Sequence, residues 1–169
     1  VKLGYVMTPQ AGQTDALLTR FAQAAATRGL CVHGIVQTNT DCAGQGKCDM
    51  DVRVLPDGPS FRISQSLGAG SRGCRLDAAA LETAVGHVMA RLDAMADLLV
   101  VNKFGKQEAA GQGMRAPIAA ALDLGVPVLL GLNTRNHAAF DAFACGLAEQ
   151  IAPDLASLEA WLARAPAAA

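Results

Sequence analysis

The chain has 169 residues, 51% of them hydrophobic, 17% charged and only 4% aromatic, and its formal net charge is −1. That length suits one domain able to bury a core without staples, and the absence of a basic excess argues against a general DNA or RNA binder. No apolar run reaches membrane-spanning length, only Lys2 precedes the first strand-like segment so that no secretory signal is expected, and an odd count of five cysteines fits a reduced cytoplasmic protein better than a disulfide scaffold.

Residues 3–7 read as a buried strand and 8–12 as a turn cluster. Residues 15–28 have helical periodicity, with Leu17, Leu18, Phe21, Ala24 and Ala25 on one face, and Gly29 stands where a helix-ending glycine would. Residues 31–37 read as a second buried strand and 38–47 as an exposed loop. Residues 51–55 and 61–64 bracket a Pro-Asp-Gly-Pro turn and read as a hairpin. Residues 67–76 form a loop rich in glycine and arginine, and Asp77 is the expected N-cap of a helix over 78–95. Residues 97–101 read as a buried strand running into 102–106. A helix over 107–124 follows, then a strand over 126–130 and two helices over 137–145 and 155–164. Cys31 and Cys145 are expected to point into the core, and His87 and His137 to be surface or helix-packing residues. Residues 166–169 are expected to fray, which leaves a single domain over 1–165.

Strands alternating with helices imply an α/β fold, a parallel sheet flanked by helices with an inserted β-hairpin. Ligands of such sheets bind at the carboxyl ends of the strands. Those ends are 8–14, 37–40, 102–106 and 131–133.

The first of these ends reads Met7-Thr-Pro-Gln-Ala-Gly12-Gln13-Thr14. A phosphate-binding loop has G-x-x-x-x-G-K-[ST] between the first strand and first helix. Gly12 and Thr14 match; Met7 replaces the first glycine and Gln13 the lysine. Gln13 donates hydrogen bonds but carries no charge, and phosphoryl transfer depends on electrostatic stabilisation. The helix N-terminus still offers amides to an anion. An ordinary strand-to-helix turn is the alternative reading.

With Leu99-Val-Val-Asn102-Lys103-Phe-Gly-Lys106-Gln-Glu108 added, the chain resembles the THEP-type nucleoside triphosphatases and the P-loop accessory proteins of molybdopterin-guanine dinucleotide, over about residues 3–132 in element order. That resemblance implies a three-layer P-loop-NTPase-like fold. The Gly-Lys-x-Glu core of the second motif matches, while Asn102 and Lys103 stand where the family carries an acidic pair that would hold Mg²⁺ or prime a water. Both motifs are therefore degenerate, and efficient nucleotide hydrolysis is not expected. Over nearly its full length the chain also resembles a bacterial family of unassigned activity, sometimes encoded beside molybdate-uptake genes, through residues 46–50, 67–77 and 101–108. That association implies a link to molybdate or tungstate handling.

The loop Gly68-Ala-Gly70-Ser71-Arg72-Gly73-Cys74-Arg75 combines glycines that free backbone amides with two guanidinium groups and a hydroxyl, a set suited to tetrahedral oxyanions. The alternative is a surface turn whose arginines pair with nearby carboxylates. Lys103, Lys106 and Arg115 add positive charge near the ligand edge, whereas Glu108 reads as a carboxylate complementing a helix start. No metal site is assigned. Cys42 and Cys48 lack the C-x-x-C spacing of zinc sites, and with Cys74 and His33 they form only a weak candidate for a soft metal.

The sequence thus points to a cytoplasmic small-oxyanion binding protein for molybdate, tungstate or a phosphate-like ion. Its ligand set is Gly12, Gln13, Thr14, Gly70, Ser71, Arg72, Gly73, Arg75, Asn102, Lys103 and Lys106. The alternative is a divergent nucleoside triphosphatase holding phosphates on residues 12–14, with Lys106 or Arg72 replacing the missing lysine. The expected partner is a small anion, not nucleic acid or membrane, and a plain α/β core leaves room for a homo-oligomer.

Overall fold

The structure is a computed structural model that describes residues 1–10, 12–41, 48–65 and 76–164. Its strands are β1 (Leu3–Val6), β2 (Val32–Asp41), β3 (Cys48–Leu55), β4 (Ser60–Arg62), β5 (Leu98–Phe104), β6 (Val128–Leu132) and β7 (Ala148–Gln150). Its helices are α1 (Gln13–Thr27), α2 (Ala78–Met89), α3 (Lys106–Ala109), α4 (Arg115–Asp123), α5 (His137–Ala144) and α6 (Leu155–Ala163), with a 3-10 turn over Thr134–Asn136.

The strands form one sheet in the order β4-β3-β2-β5-β6-β1-β7. From β2 to β7 the pairing is parallel, and β3 and β4 extend the β2 edge antiparallel. Helices cover both faces, because β5 and β6 are apolar on both sides. On one face Leu17, Leu18 and Phe21 of α1 pack with Leu158 and Trp161 of α6 against Val6, Val100 and Leu129. On the other, Leu81 and Val85 of α2, Ile118 of α4 and Phe140 of α5 pack against Val101, Leu130 and Leu132. The expected three-layer α/β architecture with an inserted hairpin is present. No helix among the described residues is long and apolar enough to cross a membrane.

Several element boundaries differ from the sequence expectation. Residues 38–41 are strand rather than loop, pairing with residues 48–51 of β3. The helix expected over 107–124 is two helices, because Gly111 and Gly113 adopt positive φ between them. α2 stops at Met89 rather than continuing to residue 95. β7 is an edge strand of Ala-Glu-Gln, too short and polar to show a pattern. Cys145 is exposed, not in the core, since it ends α5 in the left-handed conformation at φ 49°. Cys31 is half-buried, its Sγ 3.2 Å from His33 Nε2.

Candidate functional site

β6 lies between β1 and β5, so the carboxyl ends of all three strands converge. They border a cleft of about 450 Å³ lined by residues 7–10, Gly12, Thr14, Asp15, Asn102, Lys103 and residues 131–135. Its floor is close-packed because residue 131 has no side chain. A Cβ on Gly131 would press on the Asn102 carbonyl and lie 2.7 Å from Thr14 Cγ2. Between Val101 and Phe104 the β5–β6 register shifts. Such an irregularity re-aims side chains, and here it falls on Asn102 and Lys103.

The start of α1 is open. Its N-cap is Gly12 at φ 81°, with no side chain to cap the first turn; an L-residue there is strained. The first amides of a helix lack intrahelical partners and carry its positive dipole end. Thr8 Oγ1 and Thr14 Oγ1 share a hydrogen bond of 2.7 Å, and Thr8 Oγ1 also lies 3.2 Å from the Gln10 carbonyl. Lys103 and Arg135 are exposed and have no hydrogen bond or ion pair among the described residues. Asp15 opposes them with one carboxylate, which accepts a hydrogen bond from Asn39. The lining therefore carries two cations against one anion, together with hydroxyl and amide donors, and suits a small anion.

A chain of amides crosses the top of the sheet from this cleft. Asn102 Nδ2 donates to Gln37 Oε1 (2.9 Å), Gln37 Nε2 donates to Asn39 Oδ1 (2.7 Å), and Asn39 Nδ2 donates to Asp15 Oδ2 (2.7 Å). An ionised carboxylate only accepts. Asp15 therefore fixes the direction of every bond in the series, and with it the orientation of Asn102. Asn102 is buried, and among the described residues its Oδ1 has no hydrogen-bond partner.

Of the residues expected from sequence, Gly12, Thr14, Asn102 and Lys103 line this cleft. The Gln13 side chain is elsewhere, its Nε2 donating to Gln10 Oε1 at 2.9 Å. Lys106 borders a neighbouring cavity of about 180 Å³ with Asn102 and Lys103. Arg115 reaches neither: its guanidinium stacks 4.8 Å from the Phe143 ring and donates to the Glu108 carbonyl. Glu108 accepts from the Gly105 and Met114 amides at 2.8 and 2.9 Å, which makes it a brace for the turn around α3. Gly70, Ser71, Arg72, Gly73, Arg75, Cys42 and Cys74 lie outside the described residues, as does the Cys48 side chain. Among the described residues there is no group of three or more His, Cys, Asp or Glu placed to hold a metal. His33 is bound to Cys31, His87 packs on Phe61 at 5.2 Å, and His137 pairs with Asp141 at 2.8 Å. The ligand set expected from sequence omitted Thr8 and Arg135, which line the cleft, and Asn39, which bonds to Asp15 beside it. Thr8 stands at a variable position of the phosphate-loop-like stretch, and Arg135 and Asn39 belong to no recognisable motif.

Comparison with known proteins places this geometry in a fold group. The described architecture is similar to a human cancer-related nucleoside triphosphatase solved in solution, with TM-score 0.61, 18% identity, and coverage of 88% of this chain and 86% of that one. It is equally similar to THEP1 from the hyperthermophile Aquifex aeolicus, with TM-score 0.61, 13% identity, and coverage of 96% and 95%. At such identities the likeness establishes the P-loop-NTPase-like fold. In sequence, the chain is 37% identical over 147 residues to a molybdenum import ATP-binding protein, ModC 2, of Bradyrhizobium diazoefficiens. That match covers 87% of this chain but 16% of the relative, so the chain spans about a sixth of its length. Residues 3–161 match the model of a family described as "Protein of unknown function (DUF2478)".

Proposed function

The chain belongs to that DUF2478 family, and from this premise we propose that it binds a small oxyanion, molybdate or tungstate or a phosphate-like ion, without efficient nucleotide hydrolysis. The observation that carries the reading is the uncapped start of α1 facing a cleft with the Thr8 and Thr14 hydroxyls, Lys103 and Arg135. An oxyanion there receives helix amides, hydroxyl donors and two flexible cations. Molybdate and tungstate are favoured as cargo by the sequence match to part of a relative named for molybdenum import. Residues 70–73 and Arg75 supply further donors in this reading. Substituting Arg72→Ala and Arg75→Ala weakens anion binding if they do and leaves it unchanged if they do not.

Hydrolysis is disfavoured by two residue types. Gln13 is neutral and tied to Gln10, and Asn102 is held as an amide by the chain that ends on Asp15. Neither supplies the charge that phosphoryl transfer relies on. A second reading draws on the cleft volume of about 450 Å³, which lies in the range of sites that take drug-sized ligands. In it the anion is the phosphate tail of a nucleotide. A thermal-shift series with molybdate, tungstate, sulfate, phosphate, ATP and GTP, each with and without Mg²⁺, separates the two, since a ligand selective for the folded state raises the melting temperature. A shift with the oxyanions alone supports the first reading. A Mg²⁺-dependent shift confined to ATP or GTP replaces it with the second.

A further inference from the structure

Asn102 and Lys103 line the anion cleft on one side and a second cavity, of about 180 Å³, on the other. Asn102 is the partition between the two. Its carbonyl packs with the Thr14 side chain over Gly131, where a Cβ would strike both. Its side-chain amide donates at 2.9 Å to Gln37, in the lining of the second cavity. Lys103 spans the same boundary. It is exposed, and its Cγ and Cδ lie 3.8 and 3.7 Å from the position of a Cβ on Gly105, another residue of that lining. The two spaces differ in what they offer. The cleft presents helix amides, hydroxyls and cations, whereas the second cavity presents Met50, Ile63, Leu76 and Leu81. Met50 and Leu76 are half-buried and so open to an occupant, and a thioether packs adaptably on an aromatic ring. The cavity's volume of about 180 Å³ compares with roughly 150 Å³ for an apolar protein cavity that admits benzene, so it has room for one six-membered ring.

We propose that the oxyanion held at the start of α1 is the phosphate of a monophosphate ester whose single aromatic ring lies in the second cavity. This rests on the oxyanion reading and names the ligand class of that same site. The phosphate takes the donors of the cleft, Lys103 among them, and the ring supplies apolar contact that a free ion lacks. Free phosphate or tungstate fills the phosphate position alone. Asn102 needs no contact with the ligand; it sets the distance between ring and phosphate. The partition is a single strand, β5, and neighbouring strands lie about 4.8 Å apart, which a linker of one to three atoms between ring and phosphorus spans. A nucleotide held wholly within the larger cleft leaves the second cavity empty, so filling that cavity tells the two apart.

The test is calorimetric titration of the full chain with phenyl, benzyl and 2-phenylethyl phosphate, with methyl phosphate, which has the same charge and no ring, and with tungstate. The best of the three aromatic esters is expected to bind about tenfold or more tightly than methyl phosphate, the effect of burying one ring. Met50→Trp, which fills the second cavity, is expected to remove that advantage and leave methyl phosphate and tungstate unchanged. Thr14→Val, in the cleft, is expected to weaken every ligand. Far-ultraviolet circular dichroism establishes that the variants are folded, and Leu76→Trp serves in place of Met50→Trp if that variant is not. Binding of methyl phosphate or tungstate with no gain from any ring, or a gain that survives the filled cavity, overturns the proposal and leaves the oxyanion reading standing. No heat with any of the five ligands at millimolar concentration overturns both.

Discussion

Asn39 Nδ2 lies 2.7 Å from Asp15 Oδ2, joining the end of β2 to the first turn of α1, and this bond sets the polarity of everything above the sheet. Each amide in the series passes on the same direction, from Asp15 through Asn39 and Gln37 to Asn102. A carboxylate at the far end has no place in it. With acceptors at both ends and two amides between, one oxygen-to-oxygen contact is unavoidable.

Asn102→Asp is therefore expected to destabilise the protein at neutral pH by about 1–3 kcal/mol, the cost of a buried acceptor left unpaired. The introduced carboxyl donates to Gln37 only when protonated, so folding raises its pKa. The loss is present above the folded-state pKa and disappears as pH falls below the unfolded value. Urea unfolding of parent and variant at pH 7 and pH 4 checks this; an equal deficit at both pH values contradicts it.

The Thr8–Thr14 hydroxyl pair gives a second expectation. Thr14→Val keeps the shape of the side chain and removes the hydroxyl. Stability should fall by about 1 kcal/mol and anion affinity by about tenfold, the ordinary worth of one hydrogen bond to a charged group. Calorimetric titration with tungstate measures the second effect. Affinity unchanged in a folded variant removes Thr14 from the site.

Cys145 ends α5 at φ 49° and is exposed, so its side chain costs strain without gaining burial. Cys145→Gly is expected to stabilise the fold by about 0.5–1 kcal/mol, read as a raised thermal midpoint. A lowered midpoint shows that the Sγ contact with the Ala142 carbonyl, 3.4 Å, outweighs the strain.

Cys31 behaves differently. Burial, and then the negative charges of Asp97 and Asp93, push its thiol above the ordinary value near 9.0, holding it protonated. The stability tied to that protonation is fully present below the unfolded pKa and lost as pH rises through the folded one. In iodoacetamide labelling of the native protein at pH 8, followed by peptide mass mapping, Cys31 should react more slowly than the exposed Cys145. Equal rates contradict the assignment, since the thiolate is the reactive form.

The layered architecture and the strand-end position of the cleft were legible because they rest on long apolar runs such as residues 98–101 and on the alternation of strand and helix. What escaped has local causes. Residues 38–41 are polar on both faces, so no period marks them, and pairing with β3 makes them strand. The continuous helix expected over 107–124 overlooked that Gly111 and Gly113 together break it. Within the site, Gly12 and Thr14 carried a motif signal, whereas Arg135 and Asn39 reach the cleft region through the order of strands, which single-residue patterns do not encode. Gln13 stands in place of the motif's lysine, and a neighbouring amide, Gln10, holds its side chain.

The most direct test is a tungstate titration of isotope-labelled protein followed by backbone amide chemical shifts. Anion binding at the start of α1 predicts saturable shifts concentrated at Gly12, Gln13, Thr14, Lys103 and Arg135. Saturable shifts centred elsewhere, or none at millimolar tungstate, contradict it.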